Sequence, residues 1–166
     1  MTLRIFRLKP NPAGKDRNRH GSPSTTQLGA EWVDFKNAGS APANLTGIDL
    51  YHLAYGRPGT KPEWQKVTSL PADWSLPAGN VLRVHSGQKR DLGELNHDDV
   101  AGADYHSFTG RDAYVWNNAE GDTAGLWVPR SETWLDSASY DPHPPEGVVL
   151  IRSGDKLVPA GAALRV

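Results

Sequence analysis

Glycine and proline interrupt this sequence so often that only short segments of regular backbone fit between them. The chain has 17 Gly and 13 Pro among its 166 residues, and both residue types are unfavourable inside helices. The intervening segments alternate apolar and polar residues with the two-residue period of a β-strand. This pattern predicts an all-β fold, a β-sandwich of about eight to ten short strands with long loops.

The clearest alternating strand is predicted at residues 31–39, which read EWVDFKNAG. Val33 and Phe35 share one face, and Asp34 and Lys36 share the other. Such alternation is typical of an antiparallel strand with one face on the core and one in solvent. The Asn and Gly that follow favour a turn.

The clearest hairpin is predicted at residues 112–128, which read DAYVWNNAEGDTAGLWV. Residues 114–116 and 123–128 have the composition of its two strands, and Gly121 can adopt the positive φ of a bulged turn. Residues 88–111 are the least strand-like stretch. They are interpreted as a long excursion with one short helical turn.

One domain is predicted for residues 1–166, with its core in residues 2–140 and an extension at 141–166 that adds one or two strands. Six Trp, five Tyr and three Phe supply large apolar rings for that core. The absence of Cys excludes disulfides and thiolate metal sites. No apolar run approaches a membrane span and no signal peptide is recognised, so no membrane insertion is predicted and the localisation stays unassigned.

Charge is concentrated near the start of the chain, although the net charge is only −1. Six basic residues there are candidate nucleic-acid contacts: Arg4, Arg7, Lys9, Lys15, Arg17 and Arg19. A basic arm of this kind can bind phosphate without sequence preference. The alternative interpretation is an ordinary solvated strand face and loop, because the chain as a whole is not basic.

Residues 91–112 contain the best material for an enzyme, as a metal-dependent hydrolase. The weak candidate ligands are Asp98, Asp99, Asp104 and His106. Their spacing does not match a zinc site, which needs two closely spaced His residues and a third ligand. The sequence also lacks G-x-S-x-G, G-x-G-x-x-G and P-loop patterns. It therefore predicts no catalytic residue, no cofactor and no enzyme.

The six Trp residues divide into two groups. Trp32, Trp116, Trp127 and Trp134 lie in predicted strands and are expected in core or half-buried positions. Trp64 and Trp74 lie in a loop-to-strand region with Pro62 and Pro71, which makes them the more exposed pair of the six, although burial is still favoured for them. If both are exposed, they form a candidate interaction surface.

Five segments in order resemble the landmarks of lamin tail domains. They are residues 31–39, LTGIDL at 45–50, LPADWSLPAGNVLRVHSG at 70–87, YVWNNAEGDTAGLW at 114–127 and WLDSASY at 134–140. The chain departs from the family at Ile48, where Trp is frequent, and in its long segment 88–111. The resemblance implies an immunoglobulin-like sandwich of two antiparallel sheets. It is closest to the bacterial stand-alone or appended modules, which bind protein, or in some cases DNA, without catalysis.

These observations favour a non-catalytic binding or adaptor module with a protein partner. DNA binding through the basic arm and metal-dependent hydrolysis through residues 91–112 are the alternatives. The partner and the oligomeric state are not indicated by the sequence. An exposed sheet edge is one place for a partner strand to add, and the first strand is a candidate edge.

We expect this fold to need neither a metal ion nor a disulfide. Thermal unfolding followed by circular dichroism should give the same cooperative transition with and without chelator and reductant. Loss of cooperative melting in chelator would contradict the expectation.

Overall fold

The computed structural model describes residues 2–14, 16, 20–88 and 92–160. In these ranges the chain forms twelve β-strands, two short α-helices and one 3-10 turn at Leu92–Glu94. The strands are β1 (Leu3–Lys9), β2 (Trp32–Asn37), β3 (Ala43–Asn44), β4 (Asp49–Ala54), β5 (Glu63–Ser69), β6 (Ser75–Leu76), β7 (Val81–His85), β8 (Tyr105–Phe108), β9 (Asp122–Val128), β10 (Thr133–Tyr140), β11 (Leu150–Ser153) and β12 (Lys156–Pro159). The helices are α1 (Thr25–Gly29) and α2 (His97–Val100). No helix in the described ranges has the length and apolar character needed to cross a bilayer.

Ten of these strands form one curled sheet in the order β5-β4-β9-β10-β12-β11-β1-β2-β7-β8. Strands β3 and β6 form a separate two-stranded sheet. Most neighbours are antiparallel, but β10 pairs with β12 and β7 pairs with β8 in parallel. The predicted all-β fold is confirmed.

We divide the main sheet into two halves, β5-β4-β9-β10 and β12-β11-β1-β2-β7-β8. Because the sheet curls, the inward side chains of both halves lie in one apolar core. Leu8, Phe35 and Leu82 come from one half, and Leu50 and Leu126 come from the other; all five are fully buried in the same cluster. Removing these side chains from water is the main favourable term for this fold. The core is therefore shared by both halves.

The predicted hairpin at residues 112–128 is wrong. Residues 114–116 form no strand, and β9 pairs with β4 and β10 instead. The least strand-like stretch, 88–111, contains β8 as well as α2. The expected position of β1 at an edge is also wrong, because β1 lies between β11 and β2.

The predicted solvent face of β2 does not face open solvent, since Asp34 is buried and Lys36 is half-buried. Asp34 is 0% exposed, and Arg83 of β7 donates to both of its carboxylate oxygens at 2.7 and 2.9 Å. The Arg83 guanidinium also lies 3.5 Å from the centre of the Trp32 ring. A charged cluster thus covers this face of β2 and β7, which a two-residue period assigns to solvent.

The same cluster attaches α2 to the sheet. Arg83 Nη1 donates to the carbonyls of Asp99 and Ala101 at 3.1 and 2.8 Å. Asp99 Oδ1 accepts from Lys9 Nζ at 2.6 Å and from Trp32 Nε1 at 2.9 Å. These bonds connect β1, β2, β7 and α2 through groups that are largely removed from water.

The predicted extension at 141–166 contributes β11 and β12 to the middle of the main sheet. Asp136 of β10 accepts from Ile5 N at 2.8 Å and from Arg152 Nη1 at 2.7 Å. The ion pair between Asp136 and Arg152 thus joins β10 to β11, beside the single register pair of β10 with β12, Ser139 with Lys156.

Replacing Arg83 by Met should lower the free energy of unfolding by about 3–5 kcal/mol, because a buried charged network loses one partner. Urea denaturation measures the loss. The matched control is Lys156→Met, which removes an exposed pair with Asp141 and should cost less than about 1 kcal/mol. Equal losses in the two variants would show that the cluster is not a structural anchor.

Candidate functional site

A groove runs along β8, the last strand at one edge of the main sheet. Its cavity volume is about 640 Å³. We call it the β8 groove, and it is lined by residues 104–108, Trp74, Gln88, Leu92 and Gly110. Among the described strands β8 pairs with β7 alone, so the groove lies beside a strand with one open side.

Two aromatic rings form one wall of the β8 groove. Trp74 and Tyr105 are 41% and 40% exposed, and their ring centres lie 6.5 Å apart. A second cavity of about 220 Å³ shares both rings and is otherwise lined by Leu45, Ser75 and Leu76. The groove therefore continues past the aromatic pair toward the small β3–β6 sheet.

A pair of histidines fixes β8 on β7. His106 Nδ1 lies 2.8 Å from His85 Nε2, and His85 Nδ1 lies 2.6 Å from the carbonyl oxygen of Gly29. Since a carbonyl only accepts, His85 Nδ1 carries a proton. Burial lowers the pKa of His85 to about 3, so the ring is neutral and its Nε2 accepts from His106.

His106 has a lowered pKa as well, because of partial burial and then the nearby Arg83 charge. Asp34 opposes this effect. The neutral pair of His85 and His106 thus joins β8 to β7 and to Gly29 at the end of α1. Phe108, whose ring lies 5.0 Å from the His85 ring, completes the packing beneath the groove.

The candidate metal ligands bind different partners. Asp98 has a side chain that is 97% exposed, whereas Asp99 belongs to the buried cluster with Lys9. Asp104 accepts from Val81 N at 2.8 Å and thereby fixes the start of β8. Across the ranges that the structure describes, no three His, Cys, Asp or Glu residues are grouped to hold a metal ion.

Two of the six candidate nucleic-acid contacts, Arg7 and Lys9, are engaged in internal ion pairs. Arg7 donates to Asp34 at 2.9 Å and to the Gly102 carbonyl at 2.8 Å, and Lys9 is paired with Asp99. Arg4 is exposed. Lys15, Arg17 and Arg19 lie outside the described residues.

Trp64 and Trp74, for which burial was favoured, are each 41% exposed. They do not form one surface: Trp74 lines the β8 groove, whereas Trp64 packs on Trp134 with ring centres 4.4 Å apart. Trp134 was expected in a core or half-buried position, but it is 41% exposed. The bulge of β10 between Trp134 and Asp136 changes the facing that simple alternation gives.

Sequence reasoning missed the role of Glu31, which is 1% exposed. Its Oε1 accepts from Ser86 Oγ at 2.5 Å and from Val115 N at 2.7 Å, and its Oε2 accepts from Trp116 N at 3.3 Å. This carboxyl group accepts the main-chain N–H groups of residues 115 and 116, as a partner strand would. Burial raises its pKa to about 8.

Neither a scan of protein-family models nor a search of curated proteins matched this chain.

Protonation of Glu31 should stabilise the fold at low pH. Its pKa rises from 4.5 to about 8 on folding, so its contribution is complete below about pH 4.5 and is lost as the pH rises through about 8. We therefore expect the unfolding free energy of the wild type, relative to that of Glu31→Gln, to fall by a few kcal/mol between about pH 4.5 and about pH 8.

Chemical denaturation at a series of pH values measures that difference. His85 has a shift of the opposite sign, but it is present in both proteins and largely cancels. A pH-independent difference would mean that Glu31 stays ionised in the folded protein.

Proposed function

We propose that this protein is a non-catalytic binding module that holds an extended segment of a protein partner in the β8 groove. The observation that carries the proposal is an edge strand bordered by a long, partly apolar cavity. An added strand gains main-chain hydrogen bonds from such an edge, and pockets beside it select alternate side chains.

The lining of the groove favours apolar side chains in the partner. Trp74, Leu92, Tyr105 and Phe108 contribute to it, together with the neutral His106. Rigid aromatic rings provide contact area at a low entropic cost, and they are frequent at the centres of protein interfaces. The second cavity beyond Trp74 suits one further large apolar side chain.

The fixation of β8 supports the same function. His106 binds His85, and Asp104 binds Val81, so the edge is held in position before a partner arrives. Preorganisation reduces the entropic cost of binding. A partner strand therefore meets a fixed edge.

We also infer that the curled sheet is an immunoglobulin-like sandwich of the lamin tail type. One layer is β5-β4-β9-β10 and the other is β12-β11-β1-β2-β7-β8. The shared apolar cluster between these strands supports the inference, as does the order of the five sequence landmarks. Protein binding without catalysis is the role that this resemblance implies.

The two alternatives receive less support. For DNA binding, Arg7 and Lys9 of the basic arm are committed to internal ion pairs. For a hydrolase, Asp99 and Asp104 serve as internal hydrogen-bond acceptors. Neither arrangement leaves these groups available for a ligand.

Selection from a library of linear peptides tests the proposal. We expect enriched peptides to have alternating apolar residues and to lose about thirtyfold or more in affinity on Trp74→Ala, the size of an interface hot spot. Isothermal titration calorimetry measures the affinity. Trp64→Ala is the matched control, since Trp64 has the same 41% exposure outside the groove.

Hydrogen exchange then separates strand addition from other contacts. A bound peptide should slow exchange of amides in β8 (Tyr105–Phe108) relative to those of β5, the strand at the other edge. Peptides that bind the Trp74→Ala and Trp64→Ala variants alike, or that leave β8 unprotected, would count against the β8 groove.

A further inference from the structure

A cationic pocket lies where β1, β2 and the β11–β12 turn meet. Its cavity volume is about 280 Å³, and it is lined by Arg4, Ile5, Phe6, Lys36, Ala38, Arg152 and Gly154. We call it the Arg4 pocket. It shares no lining residue with the β8 groove, so a ligand bound here is independent of the partner proposed for that groove.

Two cations of the Arg4 pocket stand directly opposite each other on paired strands. Arg4 of β1 and Lys36 of β2 are register partners, and side chains in such positions have Cβ atoms about 5 Å apart on one face of the sheet. This face points away from the core, because the neighbouring Leu3, Ile5 and Phe35 are buried in the apolar cluster. Like charges in such a pair repel each other. A bound anion would remove that repulsion.

The donors of Arg4 and Lys36 are free. In the ranges that the structure describes, neither side chain forms an ion pair or a hydrogen bond with another side chain. Arg4 is exposed and Lys36 is half-buried. The Lys36 ammonium lies 5.0 Å from the centre of the Phe6 ring. The ring attracts this ammonium but does not neutralise it.

Arg152 contributes charge to the pocket but no free donor. A guanidinium has five N–H groups. Those of Arg152 donate to the carboxylate of Asp136 and to the carbonyls of Ile5, Ser137 and Gly154. Arg152 is therefore a fixed cation at one side of the pocket, and Arg4 and Lys36 are the groups that can donate to a ligand.

Positive charge exceeds negative charge in and beside the pocket. The cations are Arg4, Lys36, Arg152, Arg7 and Arg83. The carboxylates are Asp136, which accepts from Arg152, Asp34, which accepts from Arg7 and Arg83, and Asp155 in the β11–β12 turn. Two further lysines on these strands, Lys9 and Lys156, are each balanced by one carboxylate, Asp99 and Asp141. The pocket thus keeps an excess of two positive charges, although the net charge of the chain is −1.

We propose that the Arg4 pocket binds the phosphate group of a phosphate monoester. Arginine binds phosphate through a planar fork of donors, and lysine binds it as a point charge. A phosphate monoester carries about 1.5 to 2 negative charges at pH 7, which matches the excess of positive charge better than a single carboxylate does. Phe6 and Ala38 line the pocket beside the two cations and provide an apolar surface for the carbon group that bears the phosphate.

The distribution of free cations favours one phosphate group over a nucleic acid. The cations that follow Arg4 along β1 are Arg7 and Lys9, and both are bonded to buried carboxylates. Binding of duplex DNA needs several phosphate contacts along its backbone. Two free cations at one point of the described surface provide a single contact.

Nuclear magnetic resonance titration with phenyl phosphate tests the proposal. We expect saturable shifts of amides in β1 and β2 and none in β8. Affinity should fall about tenfold for Arg4→Gln and for Lys36→Gln, the size of one hydrogen bond between charged groups. Lys61→Gln is the matched control, because it removes the same charge from an exposed position in the β4–β5 loop and should leave the affinity unchanged. Circular dichroism checks that each variant is folded.

The charge of the ligand gives a second measurement. Arg and Lys stay charged between pH 5 and pH 7, whereas the second pKa of a phosphate monoester is about 6. No described histidine lines the pocket. Binding of phenyl phosphate should therefore tighten about fivefold as the pH rises from 5 to 7. Phenyl sulfate, a monoanion over this whole range, should bind more weakly at pH 7 and show no such change.

A third titration identifies the molecule that carries the phosphate. A peptide with phosphotyrosine that binds more tightly than phenyl phosphate would place the group on a protein partner, whereas exclusion of that peptide would indicate a free small ester. Absence of shifts at millimolar phenyl phosphate, binding retained in the Arg4→Gln and Lys36→Gln double variant, or equal affinity for benzoate would each overturn the proposal. Tighter binding of duplex DNA, lost in the same double variant, would also overturn it by assigning the pocket to nucleic acid.

Discussion

The buried contact between Arg83 and Asp34 is the interaction on which the rest of this structure depends. It joins β7 to β2, and through the carbonyls of Asp99 and Ala101 it holds α2 on the outer face of the sheet. β8 follows α2 closely in the chain, so its course beside β7 is set by the same cluster. An ionic layer can replace an apolar one only when every charge is paired, because an unpaired buried charge costs several kcal/mol.

The two halves of the sheet treat their outer faces differently. In the half that contains β7, helix α2 and charged side chains cover the face and leave a groove at the edge. In the half that contains β9, the aromatic residues remain uncovered around Gly125. The edge of β8 exposes main-chain groups, whereas the face around Gly125 exposes aromatic side chains.

The all-β class could be predicted from the sequence, because frequent Gly and Pro leave room mainly for short strands such as β2 and β9. The candidate sites could not, since each depends on pairs that are distant along the chain. Glu31 meets Val115 N across 84 positions, and no local pattern identifies that donor. Trp64 and Trp134 meet only through the register of four strands and a bulge. β8 has the sequence YHSF without clear alternation, and its parallel pairing with β7 requires the intervening α2.

The central position of β1 has a consequence for synthesis on the ribosome. Arg7 pairs with Asp34 on one side and with Ile151 on the other. Translation of the intervening residues takes on the order of ten seconds. During that time the nascent chain has β1 with one bare edge, open to incorrect strands and to chaperones. The sheet becomes continuous only when the β11–β12 hairpin has left the exit tunnel.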